Sequence, residues 1–288
     1  MCRTAGLRSL GPVSSRYDDL SRPPLNGREL RRALVGADSR WCEVDVVAEL
    51  GSTNDELVRR SATDPRDGLV LLAEHQVGGR GRLDRIWTSP PRAGITMSAL
   101  TRPAVPAARW TWVPLLSGLA VAAAVRQVAE VEAWLKWPND VVVGDRKLAG
   151  VLVQRIDPPA LAPCAVIGIG LNVSTRRDEL PVETATSLVL ESAATTERLT
   201  LVKAILRRLD ALLGEWEGHD GIASGGLRDA YRGACQTVGR AVRVEVAGSP
   251  PETGEAVDID SEGRLVVRTP HGSRSFSAGE VLHVRGQA

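Results

Sequence analysis

"AWLKWPNDVVVGDRKLAGVLVQRID", residues 133–157, is the stretch from which the architecture unfolds. Two β-branched, apolar runs, "VVV" and "KLAGVLVQRI", flank a Gly-Asp pair at 144–145. Apolar runs joined by a short glycine turn read as strand, tight turn, strand. Sheet structure therefore occupies the middle of the chain, with Trp137 and Pro138 forcing a rigid turn at its start.

Working outward, strands and helices alternate. "EVDVVAEL" (43–50), "GLVLLAEHQ" (68–76), "GITMSALT" (94–101) and "CAVIGIGLNV" (164–173) read as strands. "LNGRELRRALVG" reads as a short helix, and Ser52, Thr53 or Asn54 can cap another whose first turn holds Asp55 and Glu56. A long alanine-rich helix is expected from Trp112 to about Val131. A third helical face carries Leu201, Ile205, Leu209, Leu212 and Trp216. After Gln236 the texture changes to short alternating strands with glycine turns, as in a small β-barrel. The expected organisation is a disordered extension over 1–24, an α/β domain over 25–235 and a small β domain over 236–288.

Composition narrows the function classes. The chain has 288 residues and a net charge of +1, which gives no global attraction to nucleic acid or membrane. No uninterrupted apolar run reaches the roughly 20 residues of a membrane span. The first residues lack the apolar region of a secretory signal and the paired helices of a DNA-binding motif. The four cysteines are scattered and match no zinc spacing, so reduced thiols in a cytoplasmic protein are expected. Lysine is scarce: Lys136, Lys147 and Lys203 are the three present. Two of them sit in the 133–157 stretch, which suggests that an ammonium is needed there rather than a guanidinium fork, with chance clustering as the alternative.

Two segments carry chemistry. "GGRGRLDR" (78–85) interleaves glycines with guanidiniums and has no apolar period. Such a loop suits a phosphate or carboxylate, although a flexible surface turn or an RNA-binding tract has the same texture. In "KWPNDVVVGDRKLAG" (136–150), Asn139 and Asp140 stand between two ammoniums. One carboxylate plus phosphate oxygens can satisfy magnesium, which makes Asp140 the candidate metal ligand. The competing possibility is a surface hairpin held by a Lys136–Asp140 ion pair.

Four motifs in order, "GSTN" (51–54), "AEHQVGGRGRLDRIW" (73–87), "KWPNDVVVGDRKLAGVLV" (136–153) and "GIGLNV" (168–173), resemble those of biotin protein ligases. The likeness is strong over residues 43–175 and weaker through "SAGEV" near the end. It implies a mixed-sheet α/β catalytic domain of class II synthetase type with an SH3-like C-terminal domain. The implied reaction joins biotin to ATP, giving biotinyl-5′-AMP, and then biotinylates a lysine of a biotin carboxyl carrier domain. The implied biotin site is Ser52, Thr53, Asn54, Gln76, Gly79, Arg80, Gly81, Arg82, Lys147 and Gly150. The implied ATP site is Arg82, Arg85, Trp87, Asn139 and Asn172, with Asp140 toward Mg2+. Lys147, Arg82, Lys136 and Asp140 are the implied catalytic set. A monomer or weak homodimer is expected, with no nucleic-acid or membrane partner.

One position departs from the family pattern. Asp84 stands where a glycine is usual, and its charge could pair with Arg82 or Arg85 and loosen retention of the adenylate. Asp84→Gly is then expected to tighten it. The alternatives are a lipoate or octanoate ligase of the same architecture, a biotin-responsive regulatory protein, or a binding-only paralogue.

Overall fold

The structure, a computed structural model, describes residues 21–82, 85–223, 225–246, 248–277 and 279–283. Helix α1 (Gly27–Leu34) starts where the Asn26 side chain accepts from Glu29 N–H. Strand β1 (Glu43–Leu50) leads to α2 (Thr53–Ser61), and Ser52 caps α2 by accepting from Asp55 N–H. Acidic residues in the first turn of α2 and arginines in its last complement the helix dipole. Strands β2 (Leu69–Gln76) and β3 (Gly94–Thr101) follow.

The expected helix from 112 to 131 is resolved into three pieces. A 3₁₀ turn (Ala107–Trp112) precedes α3 (Val113–Ala124), and a π turn (Val125–Ala129) ends at Glu130 in the left-handed region, φ 55°. Pro114 falls in the first turn of α3, where a missing N–H costs nothing. By length and hydropathy alone, Ala107–Ala129 could cross a membrane, but 72% of its apolar window is buried inside the protein. It is a core helix, packed between the sheet and α4 (Arg198–Gly218).

The 133–157 stretch forms three strands: β4 (Trp134–Lys136), β5 (Asp140–Val143) and β6 (Arg146–Ile156). Gly144 takes φ 56° in the turn between β5 and β6, and the Trp137–Pro138 peptide is cis in the turn before β5. With β7 (Cys164–Asn172), seven strands assemble in the order β1-β2-β3-β7-β6-β5-β4. The β1–β2 pair is parallel and every other pair antiparallel, so the sheet is mixed. Helix α2 covers one face over Leu57, Leu71 and Val166, and α3 with α4 covers the other.

Helix α5 (Gly226–Ala234), which no sequence pattern announced, leads to β8 (Ala241–Glu245), β9 (Glu252–Ile259), β10 (Leu265–Thr269), β11 (Gly272–Phe276) and β12 (Glu280–His283). These five form an antiparallel sheet in the order β11-β10-β9-β8-β12. Two buried indoles tie it to the first sheet: Trp112 Nε1 donates to Ser261 O and Trp137 Nε1 to Gly263 O. The extension expected over 1–24 must be corrected at its end. Arg22 pairs with Glu179 at 2.6 Å, Leu25 N–H donates to Glu74, and Arg198 donates to Pro23 O, which anchors 22–25 to the domain. Residues 1–20 lie outside the described residues.

Candidate functional site

A cavity of about 830 Å3 opens where the N-terminus of α2, the end of β2, the arginine-glycine segment, the β4–β5 turn, β6, β7 and β12 converge. Ser52, Thr53, Asn54, Gln76, Arg80, Gly81, Arg82, Arg85, Trp87, Lys136, Asn139, Asp140, Lys147, Gly150 and Asn172 all line it. Gly79 is not in its wall; a side chain there would meet the Trp87 carbonyl and Gln76 Nε2. Asp84 lies outside the described residues.

One end is a buried polar cluster. Gln76 Oε1 accepts from Thr53 N–H at 2.6 Å and from the Thr53 hydroxyl at 2.9 Å. That fixes the amide so that Gln76 Nε2 is the free donor. The Asn54 amide lies directly on Gly168, where a Cβ would come within 2.9 Å of its Cγ. Glycine is required at 168 for this close approach.

The other end gathers charge. Lys147 Nζ sits 2.6 Å from Asp140 Oδ1, so the lysine engaged by Asp140 is Lys147 rather than Lys136. Lys136 has no ion-pair partner among the described residues. Arg82 donates to Asn139 Oδ1 at 2.9 Å and reaches Gly279 O. Burial pushes the Arg82 guanidinium's pKa down, and the Asp140 charge partly opposes this. Arg80 pairs with Asp55 at 3.3 Å, and Arg85 with Glu280 at 2.5 Å. Arg85 in turn holds the Glu280 carboxyl below its ordinary range. The described ends of the arginine-glycine segment are thus held to each other and to β12: Gly81 N–H donates to Arg85 O, Trp87 N–H to Gly79 O, and Arg85 pairs with Glu280.

Between the two ends lies the Trp87 indole, flat on the β6–β7 glycines. A Cβ on Gly170 would come within 2.7 Å of Trp87 Cζ2, and one on Gly150 within 3.2 Å of Lys147 Nζ. Lys147 Nζ is 5.9 Å from the indole centroid, within cation–π range. Trp87 Nε1 is buried with no hydrogen-bond partner among the described residues. The Asn139 amide is engaged at both of its polar atoms. Its Nδ2 donates to Val151 O while its Oδ1 accepts from Arg82, so it braces the loop against β6. Asn172 Nδ2 donates to Thr186 O and fastens the chain after β7.

The sequence model for the biotin/lipoate A/B protein ligase family matches residues 47–172, and that for the biotin protein ligase C terminal domain matches 237–284. A biotin–[acetyl-CoA-carboxylase] ligase of Mycobacterium tuberculosis is 41% identical over 272 residues, covering 93% of this chain and 98% of that protein. The chain belongs to the biotin protein ligase family. Another relative, the bifunctional ligase/repressor BirA of Escherichia coli, is 30% identical over 89% of this chain and 77% of its own length. The Aquifex aeolicus biotin protein ligase, solved in complex with biotin and ATP, superposes with a TM-score of 0.69 at 27% identity, covering 85% of this chain and all of that one. The mixed sheet and C-terminal antiparallel sheet are therefore the ligase architecture.

Two groups escaped sequence reasoning. Ser98, in mid-strand, and Gln154 hydrogen-bond to Asn54, and nothing in either strand's pattern singles them out. Glu280 of β12 reaches back to the site through its pair with Arg85, and nothing local to "SAGEV" announces that.

Proposed function

We propose that this chain is an ATP-dependent ligase that activates biotin as biotinyl-5′-AMP and transfers the biotinyl group to one lysine of a biotin carboxyl carrier domain of a biotin-dependent carboxylase. The observation that carries the reading is a meeting of distant residues. Arg82 and Lys147, from two separate strips of sequence, share one cavity with the Ser52–Asn54 and Gln76 cluster at its polar end.

Biotin's carboxylate must attack the α-phosphorus of ATP, breaking the bond to the β-phosphate and releasing pyrophosphate. Two anions have to approach, so fixed cations aimed at the developing charge are the principal help. Lys147 is positioned for the carboxylate and α-phosphate, with Gly150 giving its ammonium room. Lys136, unpaired among the described residues, and Arg82 serve the phosphates, while Arg80 and Arg85 can exchange Asp55 and Glu280 for ligand oxygens. Ser52, Thr53, Asn54 and Gln76 take the ureido end, enclosed by Gly79 and Gly81. Trp87 and Asn172 flank the nucleotide, and the free Trp87 N–H donates to a ligand oxygen. In the second step the carrier's lysine amine attacks the acyl carbon and AMP leaves.

The residues also fit magnesium. Among the described residues no group of three or more His, Cys, Asp or Glu could cage an ion, but Asp140 Oδ1 is buried without a well-aligned hydrogen bond. One carboxylate with substrate phosphates is a sufficient magnesium environment. The ion would neutralise phosphate charge, with Asp140 its protein ligand. The chain acts as a monomer or weak homodimer and needs neither nucleic acid nor membrane. Pyrophosphate–ATP exchange tests the proposal: exchange that requires biotin, and is not supported by lipoate, is expected. Exchange driven by lipoate and not by biotin would refute it.

A further inference from the structure

We infer that Ser98 and Gln154 are positioning residues that set the chain's discrimination for a cyclic-urea ligand, although neither lines the cavity. The inference rests on the biotin reading above. Ser98 lies in mid-β3 and is fully buried, opposite Gly168 of β7. Gln154 lies on β6, on the far side of β7. Between them the Asn54 amide rests on the bare backbone of Gly168. Its Nδ2 donates to Gln154 Oε1 at 2.8 Å, and its Oδ1 accepts from Ser98 Oγ–H at 2.6 Å.

Proton counting fixes the direction of the Ser98–Asn54 bond. Asn54 Oδ1 has no proton, so the Ser98 hydroxyl must donate to it. Ser98 Oγ also stands 2.7 Å from Thr53 Oγ1, a contact that then needs the Thr53 proton. Gln76 Oε1, 2.9 Å from Thr53 Oγ1, competes for that one proton and already accepts from Thr53 N–H, so the Thr53 hydroxyl is shared between Ser98 and Gln76. The bonds therefore radiate from Thr53, through Ser98 and Asn54 to Gln154 on one side and to Gln76 on the other. They leave Gln76 Nε2 as a donor and the remaining lone pairs of Asn54 Oδ1 and Thr53 Oγ1 as acceptors. A ring bearing both N–H and C=O groups matches that pattern, and a dithiolane ring does not. Removing either outer member leaves the Asn54 amide with the other and with a long bond from Nδ2 to Leu152 O at 3.4 Å, which loosens its orientation and scrambles the pattern without touching the ligand.

The test is steady-state biotinylation by the full chain with Ser98→Ala, Gln154→Leu and Gln154→Glu. Gln154→Glu keeps an acceptor for Asn54 Nδ2 and should behave like the unaltered chain. Ser98→Ala and Gln154→Leu should each raise KM for biotin about tenfold, the scale of one neutral hydrogen bond, with KM for ATP unchanged. Gln154 is half-exposed, so its variants remain informative should Ser98→Ala fold poorly. An unaltered KM for biotin in the folded variants, or an equal rise for ATP, would overturn the inference while leaving the proposed function intact. Failure of the unaltered chain to use biotin would overturn both.

Discussion

Replacing Gly170 with alanine attacks the indole shelf directly. The new Cβ would stand 2.7 Å from Trp87 Cζ2 and 2.8 Å from Nε1. Ordinary carbon contacts lie at about 3.5–4.0 Å, so the ring must retreat by about 1 Å. It cannot carry its backbone along, because Trp87 N–H is held to Gly79 O at 2.9 Å. Overpacking of this kind costs roughly 1–3 kcal/mol. A mid-range 2 kcal/mol corresponds to a melting temperature lower by about 4–8 °C for a domain of this size. Calorimetry on Gly170→Ala, alone and in a Trp87→Ala background, measures it. The penalty should be large in the first and absent in the second. Gly214→Ala on α4, where a Cβ meets nothing within 4 Å, is the control and should not destabilise. A Gly170→Ala penalty of the same size with and without the indole would refute the reasoning.

Three further outcomes are expected. Arg198 and Glu74 form a buried pair at 2.7 Å with side chains 6% and 8% exposed, and Arg198 also donates to Gly94 O and Pro23 O. Arg198→Met should therefore cost about 3–5 kcal/mol by denaturant titration, with part of the loss restored by Glu74→Leu in the same chain. His283 accepts from Arg240 at Nδ1, contacts Thr237 Oγ1 at Nε2, and its pKa is lowered to about 4 by burial and then by the Lys136 and Arg240 charges, against Asp145. A depressed histidine favours the neutral form in the fold, so its stabilisation is complete above about pH 6.5 and is lost as pH falls toward 4. Unfolding titrations at pH 7 and pH 5 should show a smaller loss in His283→Gln than in the unaltered chain; equal losses would contradict this. Asp140→Asn should raise the magnesium concentration needed for half-maximal exchange, with biotin affinity measured by calorimetry little changed.

What could be foreseen was local chemistry. A cap at Ser52, Thr53 or Asn54 was legible, and Ser52 fills it by answering an amide three residues on; Gly144-Asp145 was legible as a turn because only a glycine sits easily at φ 56°. All four motifs contribute residues to one cavity, although Gly79 stands outside its wall. What stayed hidden depends on strand order. Ser98 meets Gly168 because β7 enters between β3 and β6, a register that no window around residue 98 contains. The Lys147–Asp140 pair follows from a bulge between Val141 and Val142, which shifts Lys147 back to face Val142. Helix α3 is apolar on nearly every side, so its periodicity gave no warning of the π turn at its end. The brace between Asn139 and Arg82 likewise spans 57 positions of sequence.

The most direct test of a charge cradle built from two strips is the single-turnover rate of biotinyl-AMP formation, at saturating biotin and ATP, with Lys147→Ala and Lys147→Arg. Loss of the ammonium that stands 2.6 Å from Asp140 should slow this step by about 10²–10³-fold. Arginine should restore little, since its planar fork does not fit the space that Gly150 leaves for a point charge. A rate within twofold of the unaltered chain in Lys147→Ala would contradict the assignment of that lysine to the reacting groups.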